Sequence, residues 1–296
     1  MSGARPDPRE GARLGKSPGQ DAWGRFVRNR LALVGLAIVV ALVIAAVFAP
    51  WLVPHDPAGQ NLPSKRAFPS RAHLLGADEF GRDILSRLIY GTRIALLVGT
   101  VAVAIALGIG LVLGTTAGLL GGPADACIMR AMEILQAFPY LLLAIAIVSA
   151  LGPDALNTTI AVGIWAAPAF TRVVRASVLA LRDTDYVLAA RALGASPAPI
   201  VHRHIVPNFL PTVIVYSTLY MANAILVEAA LSFLGLGVQP PTPSWGLMVA
   251  TGRDFLLIAP HVATTPGLAI MVAVLGFNLL GDGLRDALDP RLRGAA

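Results

Sequence analysis

The sequence predicts an all-α membrane protein with six transmembrane helices and a helical element standing in water between the fourth and the fifth. Three observations predict it: a shortage of charge, six long uncharged runs, and an uneven distribution of Lys and Arg between the segments that separate them.

Apolar residues make up 56% of the 296 residues and charged residues only 14%. A soluble domain carries about 25% charged residues. So little charge cannot cover a water-facing surface of this size, and the deficit is explained if much of the surface faces lipid. The 23 Lys and Arg outnumber the 17 Asp and Glu, giving +6. These basic residues fall between the uncharged runs, as membrane-flanking charges do, and form no single patch. Nucleic acid is thereby excluded as a partner, and membrane lipid is expected as one. The one cysteine, Cys127, allows no intrachain disulfide and leaves the redox compartment unread.

About 20 residues rising 1.5 Å each cross the roughly 30 Å of hydrocarbon in a bilayer. Six runs free of Asp, Glu, Lys and Arg approach or exceed that length: Leu31–Pro54, Ile94–Ala124, Ile134–Pro153, Ala155–Thr171, Ile205–Val227 and Val262–Gly281. One such run can be a buried helix of a soluble core; six in one chain cannot. The first exceeds the apolar core of about 7–15 residues in a cleaved signal. Residues 1–30, rich in Pro, Gly and charge up to Gln20, read as a disordered tail. The expected organisation is then a first span with a long outer segment (31–93), a five-helix core (94–284) and a second tail (285–296).

With the N-terminus in the cytoplasm, the inner segments hold sixteen Lys and Arg and the outer segments seven. The bias puts both termini inside. Three inter-span segments are too long to be turns: Trp51–Arg93 outside, Arg172–His204 inside and Glu228–His261 outside.

Within the second span, Gly110, Gly114 and Gly118 share one helix face. Small residues at that spacing let another helix backbone approach closely, from this chain or from another subunit. Pro139, Pro168, Pro207 and Pro211 interrupt spans and can kink them. Glu133 and Glu228 sit near predicted span ends, Glu133 beside Arg130. No chain of Asp, Glu and His runs through the middle of the spans, which argues against a proton-coupled pump. No GxSxG, HExxH, CxxC or P-loop pattern is present, so no catalytic residue, cofactor site or metal site is assigned. His202 and His204, two apart, point away from each other on a helix.

The inner segment is the informative one. Asp185 favours a helix N-terminus. Tyr186, Ala189, Ala190 and Leu193 then follow at i, i+3, i+4 and i+7, one apolar face of a short helix. Gly194 stands where a left-handed cap ends it, and Ser196-Pro197 reads as an N-cap with proline at the first position of a second helix. The segment is either an interfacial connector or a docking helix that fits a partner's groove.

Ala189-Ala190-Arg191 with Gly194, Ile200 and His204-Ile-Val-Pro207 resembles the EAA loop of permease subunits in ABC importers, with Leu188 where that motif usually has Glu. Three further stretches resemble the dipeptide/oligopeptide/nickel permeases. The first runs from His73 through Gly76, Asp78, Gly81, Arg82 and Asp83 to Arg93. The second is Glu228–Gly237 followed by Pro240–Gly246, and the third is Gly281–Arg291. The first span resembles the extra N-terminal element of the second, or "C", subunit.

The resemblance covers about residues 20–294 and has four motifs in order. It implies import of peptides or a related small solute, such as a nickel complex, across the inner membrane. It also implies a heterodimer with a homologous permease, two ATPase subunits that hold ATP and Mg²⁺, and an extracytoplasmic solute-binding protein. The Asp185–Pro207 element would be the coupling helix inserted into an ATPase. The 76–83 motif either contacts the binding protein or is a loop held by its own ion pairs. An ion-coupled secondary transporter is the competing class.

Overall fold

A computed structural model describes residues 18–289. Among them the fold is helical, with a single isolated β-bridge between Ala77 and Asp83. The helices are α1 (Pro18–Arg28), α2 (Arg30–Val47), α3 (Ala49–Leu52), α4 (Ile84–Leu120), α5 (Gly122–Ala137), α6 (Tyr140–Leu151), α7 (Ala155–Leu181), α8 (Asp185–Ala192), α9 (Pro197–Ile200), α10 (Val206–Phe233), α11 (Trp245–Gly252) and α12 (His261–Leu288). Five are long and apolar enough to cross a membrane: α2, α4, α7, the run from α9 through α10, and α12.

The sixth crossing is a bent pair. α5 and α6 meet at 90° around Phe138-Pro139. The third span expected over Ile134–Pro153 is thus broken at Pro139, one of the prolines expected to kink spans, and its first part belongs to α5. With 12 residues, α6 reaches only about 18 Å at 1.5 Å per residue. Proline cannot continue the hydrogen-bond ladder, and the residue before it is driven out of the helical region. Phe138 accordingly sits at φ −78°, ψ 130°.

Other boundaries move because helices run beyond the hydrocarbon. α4 has 37 residues, about 55 Å, and begins ten residues before its apolar run. Its N-cap is Asp83, whose carboxylate accepts the Ser86 N–H at 2.8 Å. α7 carries Arg172 and Arg175 on past the expected end at Thr171. α10 continues to Phe233, so Glu228 lies inside the helix and is buried, with the Ser232 hydroxyl donating to it at 2.7 Å. Glu133 keeps the exposed pairing with Arg130, at 3.1 Å.

The disordered tail expected through residue 30 is corrected over Pro18–Arg28, and residues 1–17 lie outside the described residues. α1 is a helix because Phe26 has somewhere to go: it is buried against Ala32 and Ala287. Arg25 donates to the Ala287 carbonyl at 2.6 Å, which places both ends of the described chain together.

The core pairing is α4 with α7, which run parallel: the contacts move from Gly110 with Phe170 to Gly114 with Val174 and Gly118 with Val178. A Cβ on Gly110, Gly114 or Gly118 would fall 2.6–2.8 Å from atoms of Phe170, Thr171, Val174 or Val178. The glycine face is spent on this intrachain contact. Arg175 of α7 forms a bidentate pair with Asp125 of α5, and α2 packs on α12 where Gly35 meets Leu279 and Leu280.

Candidate functional site

Two assemblies stand at opposite ends of the α4–α7 pair: a helical hairpin between α7 and α10, and a strap formed by residues 53–83.

The hairpin begins as expected, with Asp185 in the first turn of α8. It ends in a Schellman motif: Gly194 at φ 82°, the Gly194 N–H donating to the Arg191 carbonyl at 2.9 Å, and the Ala195 N–H donating to the Ala190 carbonyl at 3.1 Å. A Cβ at Gly194 would meet nothing, so glycine is needed there for φ alone. Helix α9 starts at Pro197 with Ser196 at its N-cap position, as expected, although the Ser196 side chain makes no capping bond. A π turn, Val201–Ile205, then leads straight into α10, with the Val206 N–H reaching back to the Val201 carbonyl. The extra residue falls just before Pro207, whose ring would collide with a carbonyl of the preceding turn.

The hairpin has two unlike sides. Val187, Ile200 and Ile205 are buried in one cluster with Val174 and Val178 of α7 and Phe209 and Val213 of α10. Ala190 leans on that cluster. Tyr186, Leu188, Ala189, Arg191 and Leu193 face outward, Leu193 being 88% exposed. The His204 ring lies 6.2 Å from that of Tyr186, and Pro207 is exposed at the start of α10. Of the apolar face expected from spacing, then, Tyr186, Ala189 and Leu193 are bare, and Ala190 is half inside. The sequence reading missed the anchors Val187 and Ile205. Their signal was a β-branched residue between Tyr186 and Leu188, and an apolar residue between His204 and Val206.

The strap closes on itself. The Arg66 N–H donates to the Asp78 carbonyl at 2.8 Å, and the Asp78 N–H to the Arg82 carbonyl at 3.0 Å. Gly76 and Gly81 have φ 83° and 75°, and a Cβ on Gly81 would collide with the Asn61 carbonyl. Arg82 donates through Nε to Asp78 Oδ2 at 2.6 Å and through a terminal nitrogen to Glu79 Oε1 at 2.9 Å. Arg87 Nε stands 3.4 Å from Asp78 Oδ2. Asp78, Glu79, Arg82, Asp83 and Arg87 are all buried. Asp83 pairs with histidine and not with Arg82 or Arg87: His73 Nδ1 is 2.9 Å from Asp83 Oδ1. The side chains of Asp78, Arg82 and Asp83 are thus turned away from any partner. Large apolar residues exposed on the strap are Leu62, Phe68, Leu74 and Phe80. The first residues of α11 and α12 dock beside it, Trp245 donating to the Leu88 carbonyl of α4 at 3.0 Å and His261 bonding the Ala67 carbonyl.

Burial, and then the neighbouring Asp78 charge, raise the Glu79 carboxyl above its ordinary 4.5, while Arg82 and Arg87 pull it back. A raised carboxyl contributes stability that is present below 4.5 and is lost as pH rises through the folded value. Glu79→Gln is expected to remove that fall, read as a flatter melting-temperature profile between pH 4.5 and neutrality.

The described residues thus form a bundle of helices long and apolar enough to cross a membrane, with a hairpin anchored on two of them, an architecture that suits a transport component. Residues 110–294 match the model of the binding-protein-dependent transport system inner membrane component, and residues 17–70 match the N-terminal transmembrane domain of oligopeptide transport permease C. The chain belongs to the family of binding-protein-dependent transport system inner membrane components, the multi-pass permease subunits of ABC importers.

Among its relatives, the Di/tripeptide transport system permease protein DppC of Pseudomonas aeruginosa is 47% identical over 95% of this chain and 94% of its own length. The Glutathione transport system permease protein GsiD of Pectobacterium atrosepticum is 44% identical over 94% and 93%. A chain of the MetNI methionine ABC transporter, solved facing inward, superposes with TM-score 0.58 at 20% identity, over 70% of this chain and 98% of that one. That neighbour shares the fold.

Proposed function

We propose that this chain is one half of the membrane pore of an ATP-driven importer of short peptides, of di- or tripeptide and glutathione size. The other half is a homologous permease, and the Asp185–Pro207 hairpin couples the pore to ATPase subunits. The substrate class rests on what the named relatives carry. One observation carries the coupling role: the hairpin is keyed into α7 and α10 by Val187, Ile200 and Ile205 while Tyr186, Leu188, Ala189 and Leu193 stay bare. A force applied to the bare side is delivered to two spans rather than absorbed in a loop.

ATP and Mg²⁺ belong to the ATPase subunits. Their closure displaces the hairpin, α7 and α10 tilt, and the pathway opens toward the side where a binding protein delivers peptide. Both termini and the hairpin lie in the cytoplasm, as the basic residues Arg25, Arg28, Arg30, Arg182, Arg191 and Arg203 at that end support. The strap then faces the binding protein, through Phe68, Leu74 and Phe80.

Ala189 is the position that tests this, because Ala190 also touches the inner cluster. Ala189→Trp is expected to leave insertion and melting unchanged, to weaken ATPase association on the order of tenfold, the scale of a lost interface anchor, and to abolish peptide uptake. Gly194→Trp should act in the same direction, with added strain at positive φ. Full ATPase association and uptake in both variants would sink the coupling role. Uptake that persists without any ATPase and collapses with an ion gradient would favour a secondary transporter.

A further inference from the structure

Three side chains that the transport reading leaves unused converge beside the N-terminus of α4. Asp83 Oδ1 lies 2.9 Å from His73 Nδ1 and 3.7 Å from His55 Nδ1. All three donor atoms fall within 4.8 Å of one another. The imidazole rings are 4.9 Å apart, centroid to centroid. From this geometry we propose a divalent transition-metal site, of the Zn²⁺ type, held by His55 Nδ1, His73 Nδ1 and Asp83 Oδ1, with its fourth position open to water.

The spacing fits an ion better than it fits a hydrogen-bonded clamp. Ligand atoms about 2.0–2.2 Å from a tetrahedral metal stand about 3.3 Å from each other. The two separations from Asp83, 2.9 and 3.7 Å, straddle that value, and the third, between the histidines, is within 4.8 Å, so an ion enters by drawing the His55 ring inward. Hydrogen bonding accounts for His73 alone, because His55 Nδ1 is beyond hydrogen-bond reach of the carboxylate. A metal accounts for both rings. Two neutral imidazoles and one carboxylate are the donor set for Zn²⁺, Co²⁺ or Ni²⁺, and a poor one for Mg²⁺ or Ca²⁺. Each imidazole needs only to carry its proton on Nε2, leaving Nδ1 as the lone-pair donor.

The supporting shell is also in place. Asp83 Oδ2 is held by the Ser86 N–H at 2.8 Å and the Ser86 hydroxyl at 2.7 Å, which leaves Oδ1 directed at the histidines. The same hydroxyl oxygen accepts the His55 N–H at 3.1 Å and so fixes the backbone of the third ligand. The Asp83 side chain is 1% exposed, that of His73 11% and that of His55 45%. The ion therefore has a floor of buried carboxylate and an aqueous approach past His55. It would join the two ends of the strap, near His55 and near His73, to the start of α4, adding to the bonds that Ser86 and Arg87 already make there.

The test uses the full-length chain, purified without a histidine tag, stripped with chelator and titrated with Co²⁺ alone. We expect one equivalent to bind with visible d–d absorption, Zn²⁺ to displace it, and either metal to raise the melting temperature. His55→Ala should weaken Co²⁺ binding by about tenfold to a hundredfold or more, since even outer-shell partners are worth that much. It should abolish the metal-dependent melting shift and leave the metal-free melt unchanged, because His55 is half exposed. His73→Ala should lose binding likewise; if that variant fails to fold, His55→Ala decides alone. A His202→Ala/His204→Ala double variant should bind as the wild type does. No saturable binding, binding indifferent to His55→Ala, or a signal that follows His202 and His204 would each overturn the site.

Discussion

Gly114→Leu is expected to cost the protein much of its folded population. A Cβ at Gly114 would lie 2.6 Å from the Thr171 carbonyl oxygen, 2.8 Å from Val174 Cβ and 3.0 Å from the Arg175 nitrogen. Two of these atoms are backbone of α7 and cannot turn aside. The clash can be relieved only by moving α4 and α7 apart, which also opens the contacts at Gly110 and Gly118. Close approach is what holds two helices together in lipid, where hydrophobic burial gives no preference for a neighbour over a lipid tail. Overpacking costs about 1–3 kcal/mol and more where nothing can yield, so a loss of about 3 kcal/mol is expected here. The control is in the same helix: a Cβ on Gly108 would meet nothing within 4 Å, and Gly108→Leu should be close to neutral. Melting of both variants in detergent, followed by tryptophan fluorescence, checks the pair. Equal melting temperatures would show that the α4–α7 contact is not the one described.

Arg82→Ala should be nearly as damaging, at the other end of the bundle. Arg82 is the cation that Asp78 and Glu79 share, all three being buried, and its guanidinium also lies 4.7 Å from the Phe80 ring centre. Without it two carboxylates remain in a site that excludes water, with Arg87, 3.4 Å from Asp78, as the remaining partner. Removing one member of a buried pair costs about 3–5 kcal/mol, because the other charge is stranded. The exposed pair Arg130–Glu133 provides the contrast, and Arg130→Ala is expected to change stability by less than about 1 kcal/mol. Limited proteolysis of the strap, together with melting, separates the two: Arg82→Ala should be cut between residues 53 and 83 while the spans stay protected. An uncut strap in Arg82→Ala would mean that Arg87 alone suffices.

These two sites stood differently in the sequence. The glycine face was legible because its i, i+4, i+8 spacing is a property of one helix. Which helix it met was not: neither the spacing nor the composition of α4 distinguishes α7 of the same chain from a helix of another subunit. In the strap, the ion pairs were legible as a possibility, since Asp78, Arg82, Asp83 and Arg87 are close in sequence. Their burial was not, because it depends on how the chain folds back at Asn61 and Arg66 and on His261 of α12, which arrives from 194 residues beyond Ala67. Burial favours one of the two readings of the motif, the loop held by its own ion pairs: these side chains are the strap's internal brace. His55 shows the same limit, standing alone in the sequence after the first span and meeting His73 and Asp83 only through the fold.

By itself the sequence determined that the chain crosses a bilayer, how many apolar segments do so, and where the hairpin between α7 and α10 bends. Each of these is local. A segment in lipid must satisfy its own backbone hydrogen bonds, so hydropathy over some twenty residues is sufficient evidence of a helix, and Gly194 is needed by a φ of 82° whatever surrounds it. Only the tertiary structure decided where the helices end, that the third crossing breaks by 90° at Pro139, and which face of the hairpin is anchored. A charge such as Arg172 marks where a chain leaves lipid, but a helix does not stop at that boundary when a neighbouring helix continues to pack against it. The two ends of a span are set by different physics, solvent for one and packing for the other, and the second cannot be read one segment at a time.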